Sequence, residues 1–197
     1  MAVATAQEPA RTQLLDAAEQ VFYARGIQAV SMAEVRDAAE LPLKRMYELF
    51  ASKDDMVVAF LRRRHIRMMA AIKQYVSDID RPQTRVLAIF DYLDQWFREP
   101  DYRGCPWMNA YGELGPTNPA VAAEVRHHQR AFRKLVAGIV TGAGYSHEAA
   151  SAIYLLVEGA VATAAVEHTA APAGAARRAA ELLLKSDRPR ARRSAAP

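Results

Sequence analysis

Apolar residues recur along this chain at helical rather than strand spacing. Leu14, Leu15, Ala18, Val21 and Phe22 form one stripe, which Gly26 stops. Pro9 suits the first turn of that helix, and residues 1–8 lack periodicity and are expected to form a tail. Ser31, followed three residues later by Glu34, has capping-box spacing and starts a short helix at about 32–39. Pro42 opens the next, about 42–49, where Met46, Leu49 and Phe50 fall at i, i+3 and i+4. Ser52 with Asp54 and Asp55 caps a long helix, 52–79, which spans roughly 40 Å at 1.5 Å per residue.

The second half reads the same way. Pro82 opens a helix to Phe97, with Leu87, Phe90, Leu93 and either Trp96 or Phe97 inward. After the break at Pro100–Pro106, a short helix covers 107–113, and Asn118-Pro119 starts one that reaches Val140. Gly142 and Gly144 end it. Ser146 caps an Ala-rich helix, 147–169, Pro172 interrupts, and a last helix covers 174–185. No alternating β-branched runs and no Asn-Gly hairpin signal occur. The expected fold is all-α. Three helices with a tight turn between the second and third form a helix-turn-helix at 9–52, and a long helix joins it to an all-helical region at 53–186. The stretch 187–197 is expected to be a disordered tail.

Composition changes this picture little, but the placement of charge changes it more. Apolar residues make up 51% of the chain, ample for a core, and the formal charge is +4. Residues 41–67 carry seven basic against three acidic side chains, and 177–193 carry seven against two. The stretch 68–176 carries nine against eleven. Positive charge confined to one part of a chain is expected where that part meets phosphate.

One cysteine, Cys105, excludes an intrachain disulfide and a cysteine-based zinc site. The first residues lack a basic segment followed by an apolar one, so no secretory leader is expected. The apolar run Ala149–Ala171 is interrupted by Glu158, Glu167 and His168 and reads as a buried helix, not a membrane span. A cytoplasmic protein with no membrane partner is the expectation.

The segment 41–53 carries the most chemistry. A helix this short must be docked on something to be stable. With Met46, Leu49 and Phe50 turned inward, Lys44, Arg45, Tyr47 and Glu48 turn outward. Two cations, a phenol and a carboxylate are groups that read base edges and phosphates.

The order of helices and the residues at the turn resemble the TetR family of bacterial transcriptional repressors. The matching residues are Leu15-Asp16-Ala17-Ala18 through Phe22 and Arg25-Gly26, then Val30-Ser31-Met32 through Ala38-Ala39. Met46-Tyr47 through Phe50 and Ser52-Lys53 complete the set. The resemblance implies a DNA-binding N-terminal domain, a helical ligand-binding C-terminal domain and a homodimer. It also implies that Tyr47 and Lys53 hold the phosphate backbone. Lys53 lies in a first helical turn, where helix dipole and ammonium both favour an anion. Ser31, at another helix start, and Arg11 are further phosphate candidates. Lys44 and Arg45 are the base readers, with guanine as natural target. Leu43 either packs on a thymine methyl or belongs to the core. Glu48 either accepts from cytosine or pairs within the protein. Arg62, Arg63 and Arg64 read as a solvated face or as interdomain salt-bridge partners. The chain departs from the family at Glu40, where glycine is usual, and at Pro42, where a small hydroxyl residue is usual. Residue 40 must therefore tolerate a left-handed or strained backbone.

The second region is rich in aromatic and methionine side chains. A small-molecule pocket there would draw on Met69, Phe90, Trp96, Phe97, Cys105, Trp107, Met108, Asn109, Tyr111, Phe132, Tyr154 and Glu158, though such stripes also serve as core. Cys105 is either an inert thiol or a sensor of oxidants and electrophiles. Ile153, Leu156, Val157, Ala160, Val161 and Ala164 form a stripe suited to a twofold dimer through the last two long helices, or to packing within one chain.

Enzyme signatures are missing. His147-Glu148-Ala149-Ala150-Ser151 lacks the second histidine of a zincin, and Gly142-Ala143-Gly144 follows no strand. No catalytic residue, metal or cofactor is expected. The expected function is a repressor that a small-molecule effector releases from a palindromic operator in double-stranded DNA. A ligand-responsive activator, a thiol sensor using Cys105 and an architectural DNA binder are the alternatives.

Overall fold

The computed structural model describes residues 2–187, with side chains from residue 8 onward. Among the described residues the chain is nine helices with no strand: α1 Ala2–Arg25, α2 Met32–Ala38, α3 Leu43–Leu49, α4 Lys53–Ser77, α5 Pro82–Phe97, α6 Pro106–Leu114, α7 Pro119–Gly142, α8 His147–Glu167 and α9 Ala171–Ser186. The helix starts are set by local chemistry. Ser52 Oγ accepts from the Asp55 N–H at 3.1 Å, and Ser146 Oγ from the Ala149 N–H at 3.0 Å. Asn118 Oδ1 accepts from Ala120 and Val121 at 3.1 Å each.

Two boundaries differ from the sequence reading. α1 begins at Ala2, so Pro9 lies inside the helix and not in its first turn. Alanines at 2, 4 and 6, with Gln7 and Glu8, are strong helix formers that extend it upstream. The break between α8 and α9 falls at His168, which caps α8 in the left-handed region at φ 53°. Pro172 does not interrupt a helix but sits in the first turn of α9, where its missing N–H costs nothing. The tail expected at 187–197 lies outside the described residues beyond Asp187.

Contacts divide the chain into two units that do not follow sequence order. Unit 1 is 1–67 with 105–128, and unit 2 is 68–104 with 129–197. The divisions fall inside α4 and α7, helices long enough to take part in both, whereas a linear reading places one boundary at 52/53.

Unit 1 is built around Leu14, Ala18, Phe22, Val30, Val35, Met46, Phe50, Met56, Val57, Phe60 and Leu61, all nearly or fully buried. Unit 2 packs α8 and α5 against α9. Its core is Val86, Ile89, Phe90 and Leu93 from α5, Ile153, Val157, Ala160 and Ala164 from α8, and Ala173, Ala176, Ala180 and Leu184 from α9. Of the two readings of the α8 stripe, packing within one chain accounts for most of it. Ile153, Val157, Ala160, Val161 and Ala164 are buried within a single chain, because the small side chains of α9 allow close approach from that side. The large apolar residues that α8 and α9 leave exposed are Leu155, Val166 and Leu182. By length and composition α8 could also cross a membrane, but its apolar face is this core.

Candidate nucleic-acid interface

The helix-turn-helix is shaped by its two turns. α2 starts with a reciprocal capping box: Ser31 Oγ accepts from the Glu34 N–H at 3.2 Å, and Glu34 Oε2 accepts from the Ser31 N–H at 2.7 Å. Those bonds and Arg25, 2.8 Å away, hold the Glu34 carboxyl down to about 2. α2 ends in a Schellman turn. The Leu41 N–H reaches the Arg36 carbonyl at 3.3 Å and the Glu40 N–H reaches Asp37 at 3.1 Å. Glu40 occupies the position that favours glycine, at φ 50°, as its place in the turn required. Pro42 caps α3 without a side-chain bond, as expected of proline.

α3 is short and is fastened from one side. Met46 is fully buried, and Phe50 behind it is nearly so. Arg11 lies over the Phe50 ring, 4.3 Å from its centroid, with Nη1 3.5 Å from the Leu49 carbonyl at the helix end. Gln13 Nε2 donates to the Ala39 carbonyl at 2.7 Å. Thus α1 holds the C-terminal ends of both α2 and α3.

The opposite side of α3 is open. Leu43 is 47% exposed and Tyr47 51%, so neither belongs to the core, and Lys44 is exposed as well. Arg45 Nη1 pairs with Glu48 Oε2 at 3.1 Å, which gives Glu48 an intramolecular partner. Lys53 opens α4, its ammonium 6.0 Å from the Phe22 ring centroid. Two candidates are committed elsewhere: Ser31 donates its hydroxyl to Glu34 at 2.8 Å, and Arg11 serves the end of α3.

The arginines of α4 stay within unit 1. Arg63 and Arg64 reach Glu19 at 3.1 and 2.7 Å, Arg67 also pairs with Glu19, and Arg62 meets the buried Glu124 at 2.9 Å. They are salt-bridge partners, as one of the two sequence readings had it, but within one unit.

Two features of unit 1 gave no sequence signal. Glu113 on α6 accepts backbone hydrogen bonds from Ile27 and Gln28, at 3.0 and 2.7 Å. A carboxylate 86 and 85 residues from its partners looks like any surface glutamate in a linear reading. The second is a histidine cluster. His128, 2% exposed, stacks on Trp107 with centroids 3.4 Å apart, and its Nδ1 lies 3.0 Å from that of His65. Burial, with the neighbouring His65 and His127, lowers His128 from 6.5 to about 3. The buried Trp107 Nε1–H meets no acceptor among the described residues.

The expected pocket residues are split between the units. Cys105, Trp107, Met108, Asn109 and Tyr111 are in unit 1, and Met69, Phe90, Trp96, Phe97, Phe132, Tyr154 and Glu158 are in unit 2. In unit 1, Cys105 is the N-cap of α6, Trp107 is fully buried, and Met108, Asn109 and Tyr111 face solvent. In unit 2, Phe90 and Phe97 are core, and Trp96 and Phe97 pack on Tyr102, whose hydroxyl donates to the Val161 carbonyl at 2.8 Å. Tyr154 contacts Phe132, donates to Gln129 Oε1 and lies under Arg133 at 4.7 Å. Burial, and then the Glu158 charge, raise Tyr154 to about 12, and burial raises Glu158.

Comparison with known proteins covers both regions. Residues 14–60 match the family described as bacterial regulatory proteins, tetR family, and residues 82–180 match the tetracyclin repressor-like C-terminal domain. The chain is 31% identical over 120 residues to the transcriptional activator FasR of Mycolicibacterium smegmatis, covering 59% of this chain and 52% of that protein. It is 28% identical over 120 residues to the transcriptional repressor DhaR of a Mycobacterium species, covering 61% and 60%. The matched stretch is thus little more than half the length of these curated relatives. Among solved structures, a TetR-family regulator from Streptomyces coelicolor superposes with a TM-score of 0.83 at 25% identity, over 90% of this chain and 95% of that one.

A cationic and aromatic helix face is held open on a helix-turn-helix scaffold. With matches over both of its regions, the chain belongs to the tetR family of bacterial regulatory proteins.

Proposed function

We propose that the protein is a cytoplasmic repressor, and not an enzyme, that binds a palindromic operator as a homodimer and leaves it when a small-molecule effector binds the C-terminal region. The observation that carries this reading is α3. Its Met46 is fully buried while Leu43, Lys44 and Tyr47 stand open beside the Arg45–Glu48 pair. In this reading Tyr47 and Lys53 hold phosphates, and Lys44, Arg45 and Leu43 meet base edges in the major groove. Ser31 and Arg11 support the helices from within. Two recognition helices related by a twofold would enter successive major grooves about one DNA turn apart. The exposed Leu155, Val166 and Leu182 supply an apolar surface for the dimer. Tyr154, Phe132 and Glu158, with Met69 and Trp96, are the members of unit 2 from which an effector site would be built. An activator is the second reading, favoured by the activator among the relatives.

The test is selection of bound duplexes from a random pool. One enriched palindrome is expected. Tyr47→Ala and Lys53→Ala should weaken binding to every sequence alike, and Arg45→Ala should relax the preference at particular bases. Enrichment of no sequence, or wild-type binding by all three variants, would overturn the assignment.

A further inference from the structure

The chain passes from unit 2 into unit 1 between Gly104 and Cys105 and returns between His128 and Gln129. Residues 105–128, which carry α6 and the first part of α7, are therefore an excursion that must be fastened to the N-terminal helices. Its polar fastenings include Arg62–Glu124, His65–His128 and Glu113. The first two end on α4. The third ends on the loop that joins α1 to α2.

That contact is built for a carboxylate. Glu113 Oε1 accepts from the Ile27 N–H at 3.0 Å and Oε2 from the Gln28 N–H at 2.7 Å, while the Gln28 side-chain amide donates to the Glu113 carbonyl. Successive backbone N–H groups converging after a left-handed residue form an anion-binding concavity. Gly26, at φ 88°, supplies that residue, and a Cβ there would sit 3.3 Å from Glu113 Oε2. The loop then runs through the fully buried Val30 to Ser31, the cap of α2, and the Schellman turn of α2 leads directly into α3. Fixing residues 27 and 28 thus fixes where α2 begins and how α3 is presented.

We infer that Glu113 is the positioning residue through which α6 sets the pose of the DNA-reading helices, so that sequence discrimination depends on a carboxylate that never meets DNA. This rests on the DNA-binding reading above. Any displacement of α6, which follows unit 2 directly in the chain, is passed to the α1–α2 loop by two charge-assisted hydrogen bonds.

The experiment uses the full chain, with amide hydrogen exchange read at residues 27 and 28 and binding measured to the selected palindrome and to a scrambled duplex of equal length. In Glu113→Ala, exchange at both amides should quicken about tenfold or more as their acceptors are lost. Affinity for the palindrome should fall about tenfold, with scrambled-duplex affinity held within about twofold. Glu113→Asp should fall between, and Glu124→Gln, which breaks a contact to α4, should leave both amides as they are. Should Glu113→Ala fail to fold, the same criteria apply to Glu113→Asp. Unchanged exchange, or quickened exchange with the palindrome-to-scrambled ratio of the wild type, would overturn the inference. If the wild type enriched no palindrome, the DNA-binding reading itself would fail. A palindrome that is enriched but still fully discriminated by Glu113→Ala condemns only the role given to Glu113.

Discussion

In unit 1 polar contacts that can be named one by one join the helices around their apolar core. Arg62 meets Glu124, three arginines converge on Glu19, Glu113 holds the α1–α2 loop, and Arg11 and Gln13 hold the ends of α3 and α2. In unit 2, α8 and α9 meet through Ile153, Val157, Ala160, Ala164, Ala173, Ala176 and Ala180, and ion pairs such as Arg177–Asp91 lie at the rim. The difference follows from what each must do. Apolar packing is non-directional and fills volume. A hydrogen bond or ion pair fixes direction, and α3, a helix of seven residues packed on one side only, needs its direction fixed.

The comparison is most exposed to failure at Trp107, where unit 1 relies on a buried ring. Trp107→Ala should cost about 3–5 kcal/mol in denaturant unfolding. Trp107→Phe should cost far less, because it keeps a ring against His128 and removes a buried N–H that meets no acceptor among the described residues. Equal losses for the two would show that the indole N–H is held by something other than packing.

Acid should act next. His128 titrates at about 3 in the fold, against 6.5 ordinarily. Between those values the unfolded chain binds a proton that the fold refuses, so stability falls as pH drops, by up to about 1.4 kcal/mol per pH unit. His128→Phe should flatten unfolding free energies measured between pH 7 and 4. A slope that survives the substitution would move the acid sensitivity to other groups.

The smallest effect is expected at the turn. Glu40→Gly should stabilise the protein by about 1 kcal/mol, because glycine adopts the left-handed backbone without strain. Thermal unfolding of the variant measures it. Destabilisation would mean that the Glu40 side chain contributes more than its strained backbone costs.

Local features were legible because they are encoded within a few residues. The capping box at Ser31 and Glu34, the strained turn at Glu40, the absent cap at Pro42 and the buried Met46 each depend on neighbours in sequence. The stripe on α8 was legible as an apolar face but not as belonging to one chain, since periodicity shows that a face is buried and not against what. Glu113, Tyr102 and the His65–His128 contact were not legible, because their partners lie dozens of residues away.

The sequence by itself determined the all-helical fold, the placing of the helix-turn-helix and the family, because helix periodicity, capping and turn chemistry act over distances of a few residues. Only the tertiary structure decided which partner each charged side chain meets. Arg45, Arg62, Arg63, Arg64 and Arg67 read alike along the chain. Arg45 pairs locally with Glu48 on α3, and the others are drawn to Glu19 and Glu124, because ion pairs form between groups that folding brings within a few ångströms.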